Sequence, residues 1–98
     1  MVSVLKGSGS IIAQTGSIPT INVHGNPGMA VAGMGDALAG LIAALLAQDL
    51  SPFEAAKTGV LIHALCAENY AVHNDQCGLI ASDIIQRIPG ILMQLRNL

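Results

Sequence analysis

The sequence predicts an α/β chain in which short strands come first and three to four helices follow. Three observations predict it. Up to His24, apolar runs are punctuated by Gly-Ser turns, as short strands are. Beyond Gly25 the apolar residues recur with the 3.6-residue period of a helix. Ser51-Pro52-Phe53-Glu54 then has the form of a helix-starting capping box. No internal repeat and no low-complexity linker divides residues 1–98, so they read as a single partial domain.

The elements follow in order. Val2 to Lys6 reads as a strand, Gly7-Ser8-Gly9 as a turn, and Ser10 to Gln14 as a second strand. After Gly16-Ser17, Ile18 to His24 reads as a third strand, weakened at its start by Pro19. The first helix begins near Gly33 to Asp36 and ends near Gln48. Met34, Leu38, Leu41, Ile42, Leu45 and Leu46 form its apolar stripe. Ala37, Ala39, Gly40, Ala43 and Ala44 on its other face predict burial nearly all round. The second helix is capped by Ser51 and runs to about His73; Gly59 inside it costs about 1 kcal/mol relative to Ala, which close packing would explain. Ser82 caps a third helix, which Pro89-Gly90 interrupts or ends, and Ile91 to Leu98 is a short terminal helix.

Composition bounds the function. The chain is 52% hydrophobic and 10% charged, against about 25% charged in soluble domains. A chain of 98 residues with this excess is either a piece of a larger domain or hides apolar surface in a homo-oligomer. With Phe53 and Tyr70 as the only aromatics there is no platform for stacking bases. Four basic residues spread along the chain make no basic patch, so nucleic-acid binding is not expected. The stretch from Ala37 to Ala47 would span roughly 16 Å as a helix, about half a bilayer core, so no membrane span is expected. Met1 is followed at once by a strand-like run, so no signal peptide is expected. Cys66 and Cys77 read as reduced thiols of a cytoplasmic protein.

The chemistry concentrates between Gly25 and Asp36. Gly25, Gly28, Gly33 and Gly35 lie in one short loop, where glycine permits positive φ and close approach of a ligand to the main chain. The loop feeds a helix whose first amides have no internal acceptor and attract anions. Two readings stand: a phosphate site, or a tight turn that packs helix on sheet. A Walker loop would end in Gly-Lys-Ser/Thr, and a dinucleotide fingerprint needs G-x-G-x-x-G; this loop has neither. Asp36 at the helix start is either a cap or a proton acceptor for a hydroxyl attacking phosphorus, with the amides holding the transferring group.

The run GNPGMAVAGMGDALAGLIAALLAQDLSPFEAA from Gly25, VLKGSGSIIA near the start and GLIASDIIQRIP near the end resemble, in the same order, the ADP/ATP-dependent NAD(P)H-hydrate dehydratases of the ribokinase-like superfamily. The resemblance covers almost the whole chain and implies the C-terminal part of a ribokinase-like fold. The family's catalytic domain is much longer. It implies repair of hydrated NADH or NADPH, with ADP or ATP, accompanied by Mg2+, driving loss of the added water. Lys6, Gly7, Ser8, Gly9, Ser10 and Gly35 would contact the nucleotide; the family usually has threonine where this chain has Ser10, and the hydroxyl is kept. Gly33, Met34 and Gly35 would form the anion hole. Asp36 would act as base at the hydrated nicotinamide, with Asn26 also at the substrate. Without the resemblance, Lys6 reads as a strand-end surface lysine.

Competing readings remain. A ribokinase-like kinase of a vitamin precursor would use the same anion hole and base; the full GNPGMA run favours the dehydratase. A catalytically inactive nucleotide-binding or oligomerisation fragment is the non-enzyme alternative. His63, Cys66, His73 and Cys77 have metal-ligand types, but Cys66 and His73 would lie roughly 10 Å apart along a continuous helix, and zinc ligands lie about 2 Å from the metal. His63 is expected as a core histidine, His73 as a helix-end residue, and His24 as a candidate for approaching substrate.

Overall fold

The computed structural model describes residues 1–5, 10–16, 18–22, 24–25, 29 and 32–97. Three short strands, β1 (Val2–Leu5), β2 (Ser10–Gln14) and β3 (Thr20–Asn22), form an antiparallel sheet in the order β1-β2-β3. Three helices follow: α1 (Met34–Leu46), α2 (Pro52–Ala71) and α3 (Ala81–Arg96). A single 3-10 turn, Gln76–Gly78, connects the last two. The expected order of strands before helices holds. The third strand is shorter than Ile18 to His24; Pro19 stands just ahead of its first paired residue, Thr20.

Register decides which face of the sheet is covered. Val4 pairs with Ile12, and Ile12 with Thr20. Ile12 is fully buried and packs with Leu38, Ala56 and Val60 of α1 and α2, joined by Val2 and Val4. The alternate residues point outward. Leu5 pairs with Ile11 and Ile11 with Ile21, an apolar row across all three strands in which Leu5 and Ile21 are exposed.

α2 is the central helix. Ala55, Ala56, Gly59, Val60, Ile62, His63, Ala64, Cys66 and Ala67 are all buried on it, more than one face can hold. Its start is the one the sequence predicts: Ser51 Oγ accepts the Glu54 N–H at 3.2 Å, and Pro52 stands in the first turn. Glu54 itself turns to Lys57, 3.4 Å away. The cost of Gly59 has its expected reason. A Cβ there would meet Ile42 Cγ1 at 2.6 Å, so α1 lies against bare backbone. The helix stops at Ala71, short of His73.

Two expectations fail for physical reasons. α1 is not buried all round: Met34, Leu38, Leu41 and Leu45 form one buried stripe, while Ala39, Gly40, Ala43 and Ala44 are exposed. α1 lies at the flank of the helical layer, and its small residues face outward. α3 neither starts at a Ser82 cap nor ends at Pro89. Its N-cap is Ile80, whose N–H donates to Asp83 Oδ2 at 3.0 Å, so the carboxylate rather than the serine sets the start. Pro89 and Gly90 fall on the exposed side, while Ile84, Ile88, Ile91, Leu92 and Leu95 face the core. Burying a large aliphatic side chain contributes about 1.5–3 kcal/mol. Several together outweigh the ~3 kcal/mol that an interior proline costs, and the helix runs through it.

Cys66 is fully buried, and burial pushes its thiol up to about 11 against a partial opposing pull from the Arg87 charge. Cys77 is exposed, and Asp75 beside it also holds its thiol above the ordinary value.

Two measurements test this packing. Pro89→Ala restores a donor for the Ile85 carbonyl and is expected to stabilise the chain by about 2 kcal/mol, raising Tm by roughly 10 °C in a thermal melt; an unmoved Tm would mean the proline turn carries no penalty. Alkylation of the native chain near neutral pH is expected to modify Cys77. Cys66 should react at least about a hundredfold more slowly than in denaturant, as peptide mapping would read. Equal native labelling of both thiols would contradict the burial of Cys66.

Candidate functional site at the amino end of helix α1

α1 opens on Gly33, which adopts φ 87°, ψ −13°, a left-handed conformation that side chains disfavour. A Cβ at Gly33 would also come within 3.2 Å of the Ala81 Cβ, so the amino ends of α1 and α3 meet there. The first intrahelical bond is Ala37 N–H to Gly33 O, 3.0 Å. The amides of Met34, Gly35 and Asp36 therefore have no acceptor within the helix. Together with the helix dipole they make an anion-attracting end. Met34 sends its side chain into the core at 4% exposure and so fixes the helix end, while its amide stays at the terminus. Asp36 is exposed in the first turn. Among the described residues its carboxylate has no hydrogen-bond or ion-pair partner, so it is not consumed in capping.

The start of the loop is held from α2. Glu68 Oε2 accepts the Gly25 N–H at 2.7 Å, and both Glu68 oxygens lie 3.2 Å from His24 Nδ1. Gly25 has φ 114°, and a Cβ on it would sit 2.8 Å from Met29 Sδ and 3.6 Å from the Ala64 Cβ. Asn22 adds a bond from its side-chain amide to the His24 carbonyl, 3.1 Å. Reading the sequence singles out His24 and the glycines but passes over Glu68. Its partners are more than 40 positions earlier in the chain, and the one local signal is an acidic residue breaking the apolar run of α2.

The other predicted positions divide. Ser10 opens β2, its Cα paired with Asn22. Lys6, Gly7, Ser8, Gly9 and Asn26 lie outside the described residues. His24 is engaged by Glu68 and also borders a cavity of about 320 Å³ between β2–β3 and α2, with Thr20, Asn22, Lys57 and Thr58 among its walls. None of Gly33, Met34, Gly35 or Asp36 lines that cavity, and Lys57 there is occupied by Glu54 and by the Phe53 ring 5.6 Å away. The cavity is thus separate from the anion-attracting end. Among the described residues no group of three or more His, Cys, Asp and Glu could hold a metal ion; His63 and Cys66 are both buried on α2. No described helix is long and apolar enough to cross a membrane.

Known proteins similar to this chain in sequence and in fold are of one kind. The bifunctional NAD(P)H-hydrate repair enzyme Nnr of Vibrio cholerae is 43% identical over 91 residues, covering 93% of this chain and 18% of that enzyme. The ADP-dependent (S)-NAD(P)H-hydrate dehydratase of Xanthomonas campestris is 35% identical over 94 residues, covering 96% of this chain and 32% of that one. In three dimensions the chain matches the ADP/ATP-dependent NAD(P)H-hydrate dehydratase of Bacillus subtilis, co-crystallized with ATP/Mg2+, with a TM-score of 0.90 at 30% identity. That match covers 95% of this chain and 34% of the other. The chain thus spans less than a fifth of the bifunctional relatives and about a third of the single-function ones. The Carb_kinase family model, described as NAD(P)H-hydrate dehydratase, matches residues 1–90, and with Gly33, Gly35 and Asp36 at the head of α1 the chain belongs to that family.

Proposed function

We propose that this chain carries the phosphate-binding and proton-accepting part of an adenine-nucleotide-dependent dehydratase acting on hydrated NADH or NADPH in the cytoplasm. The observation that carries the reading is the Asp36 carboxylate, unpartnered among the described residues, beside the amides of Met34 and Gly35, which have no acceptor within the helix, in a chain of this family. Lys6, Gly7, Ser8, Gly9 and Ser10, with Gly35, take the nucleotide. Gly33, Met34 and Gly35 hold the transferring phosphoryl group, and Asn26 and Asp36 face the substrate. The free amides fit a phosphoryl group, and any Mg2+ would arrive on the nucleotide phosphates.

The nucleotide supplies the phosphoryl group that turns the ring hydroxyl into a better leaving group. Asp36 accepts the hydroxyl proton as the new O–P bond forms and the bond to the departing nucleotide breaks. The amides of Met34 and Gly35 offset the charge on the phosphoryl oxygens. The ring C–O bond then breaks, phosphate leaves with the electron pair, and the adjacent ring carbon gives its proton to the departing phosphate, restoring the dihydronicotinamide. Because the chain spans about a third of the single-function relatives, nucleotide binding without turnover is the second reading.

Calorimetric titration of the chain with ADP and ATP tests the first step, and absence of binding at millimolar nucleotide would sink both readings. Asp36→Asn is expected to lower regeneration of NADH from its hydrate by about 10²–10⁴ while leaving nucleotide affinity within about threefold. Parallel loss of both would make Asp36 structural. Binding with no regeneration by the unsubstituted chain would leave the binding-only reading.

A further inference from the structure

The loop that ends at Asp36 is fastened at its other end by a residue with no assigned role. Gly25 meets α2 twice: its Cα side faces the Ala64 Cβ, and its N–H is held by Glu68. Ala64 and Glu68 are four residues apart, hence one above the other on the same helix face. At 2.7 Å the Gly25 bond to Glu68 is short, as charge-assisted bonds are. The same carboxylate meets His24 with both oxygens, so two successive residues are fixed by one side chain. Further along, Met29 packs against the main core, and at the far end Gly33 abuts Ala81. The described part of the loop therefore has three anchors, at Gly25, Met29 and Gly33. Of these, the contact at Gly25 alone is made by an ionisable side chain.

We propose that Glu68 is a positioning residue: its carboxylate holds the His24 imidazole and the Gly25 amide where the chain leaves the sheet, and thereby the placement of the amides at the head of α1. The inference rests on the nucleotide-site reading for its functional consequence and on geometry alone for its structural part. A site whose donors must meet a phosphoryl group tolerates little looseness, since displacement by about 1 Å costs of order 10²-fold. Fixing the loop entry from a buried central helix meets that demand. Cutting the tie loosens the donors while leaving the core of α2 intact, because Glu68 is only half-buried and lies beside the apolar cluster rather than in it.

The test uses the full chain with Glu68→Ala and Glu68→Gln, and with Ser51→Ala as a control that removes the α2 cap far from the loop. Hydrogen exchange by NMR is read at Gly25 and amide chemical shifts at Met34 and Gly35, beside Tm and ADP affinity. Glu68→Ala is expected to speed exchange at Gly25 by at least about tenfold and to weaken ADP binding about tenfold. Glu68→Gln, which keeps an acceptor, restores much of both. Ser51→Ala lowers Tm without either change. The proposal is overturned if Gly25 exchange is unmoved in Glu68→Ala, or if affinity falls as far in Ser51→Ala at equal loss of Tm. If the unsubstituted chain binds no ADP, the nucleotide reading fails by itself. The positioning role then stands or falls on whether loosening at Gly25 reaches the Met34 and Gly35 amides.

Discussion

Everything in this chain leans on the close approach of α1 to α2 at Gly59. Because no side chain stands there, Ile42 rests on helix backbone, and the two helices lie near enough to close over Ile12 of the sheet. The same compactness leaves the other side of α2 free to bury Ile62, Cys66 and Ala67 against α3. A helix that must serve a sheet and two helices cannot carry bulky residues all round. The alanines and the glycine of α2 are the compositional answer, and the scarcity of aromatics follows from it. The helix so fixed is also the one that carries Glu68, so the placement of Gly25 descends from the packing of the core.

Much of this was legible in the residues, and the reasons differ by element. The start of α2 was readable because a capping box is a local device whose parts lie within four residues. The start of α1 was readable for a similar reason: glycines and an aspartate at a helix start need no distant partner. What escaped was whatever depends on the rest of the molecule. Pro89 reads as a break until the buried stripe on the opposite side of α3 is seen to carry the helix across it. The alanine face of α1 reads as buried because small residues permit close contact, but permission is not occupancy, and that face meets solvent. Glu68 escaped most completely, since nothing in HALCAENYA says that its carboxylate reaches back to Gly25.

The candidate site divides in the same way. Its donors are backbone amides, which any helix start offers, and its selectivity has to come from what surrounds them. Met34 buries its side chain while its amide stays at the terminus, Asp36 has no carboxylate partner among the described residues, and Gly33 gives up a side chain so that α3 can stand close. Each of the three contributes by a different trade between packing and exposure. Lys6 to Gly9 and Asn26, which the family resemblance assigns to nucleotide and substrate, lie outside the described residues, so the amino end of α1 is the portion whose chemistry rests on geometry.

The tie between Gly25 and Glu68 has a consequence for how the chain acquires its shape. The strands meander and the helices follow one another, so most neighbours in space are near neighbours along the backbone and are formed cheaply. The carboxylate clasp instead closes a loop of 43 residues and is possible only once α2 has docked on the sheet. A half-assembled chain would have its strands, and even α1, before it had a held loop. The His24–Gly25 segment is then held only late in folding, once the longest-range contacts are made.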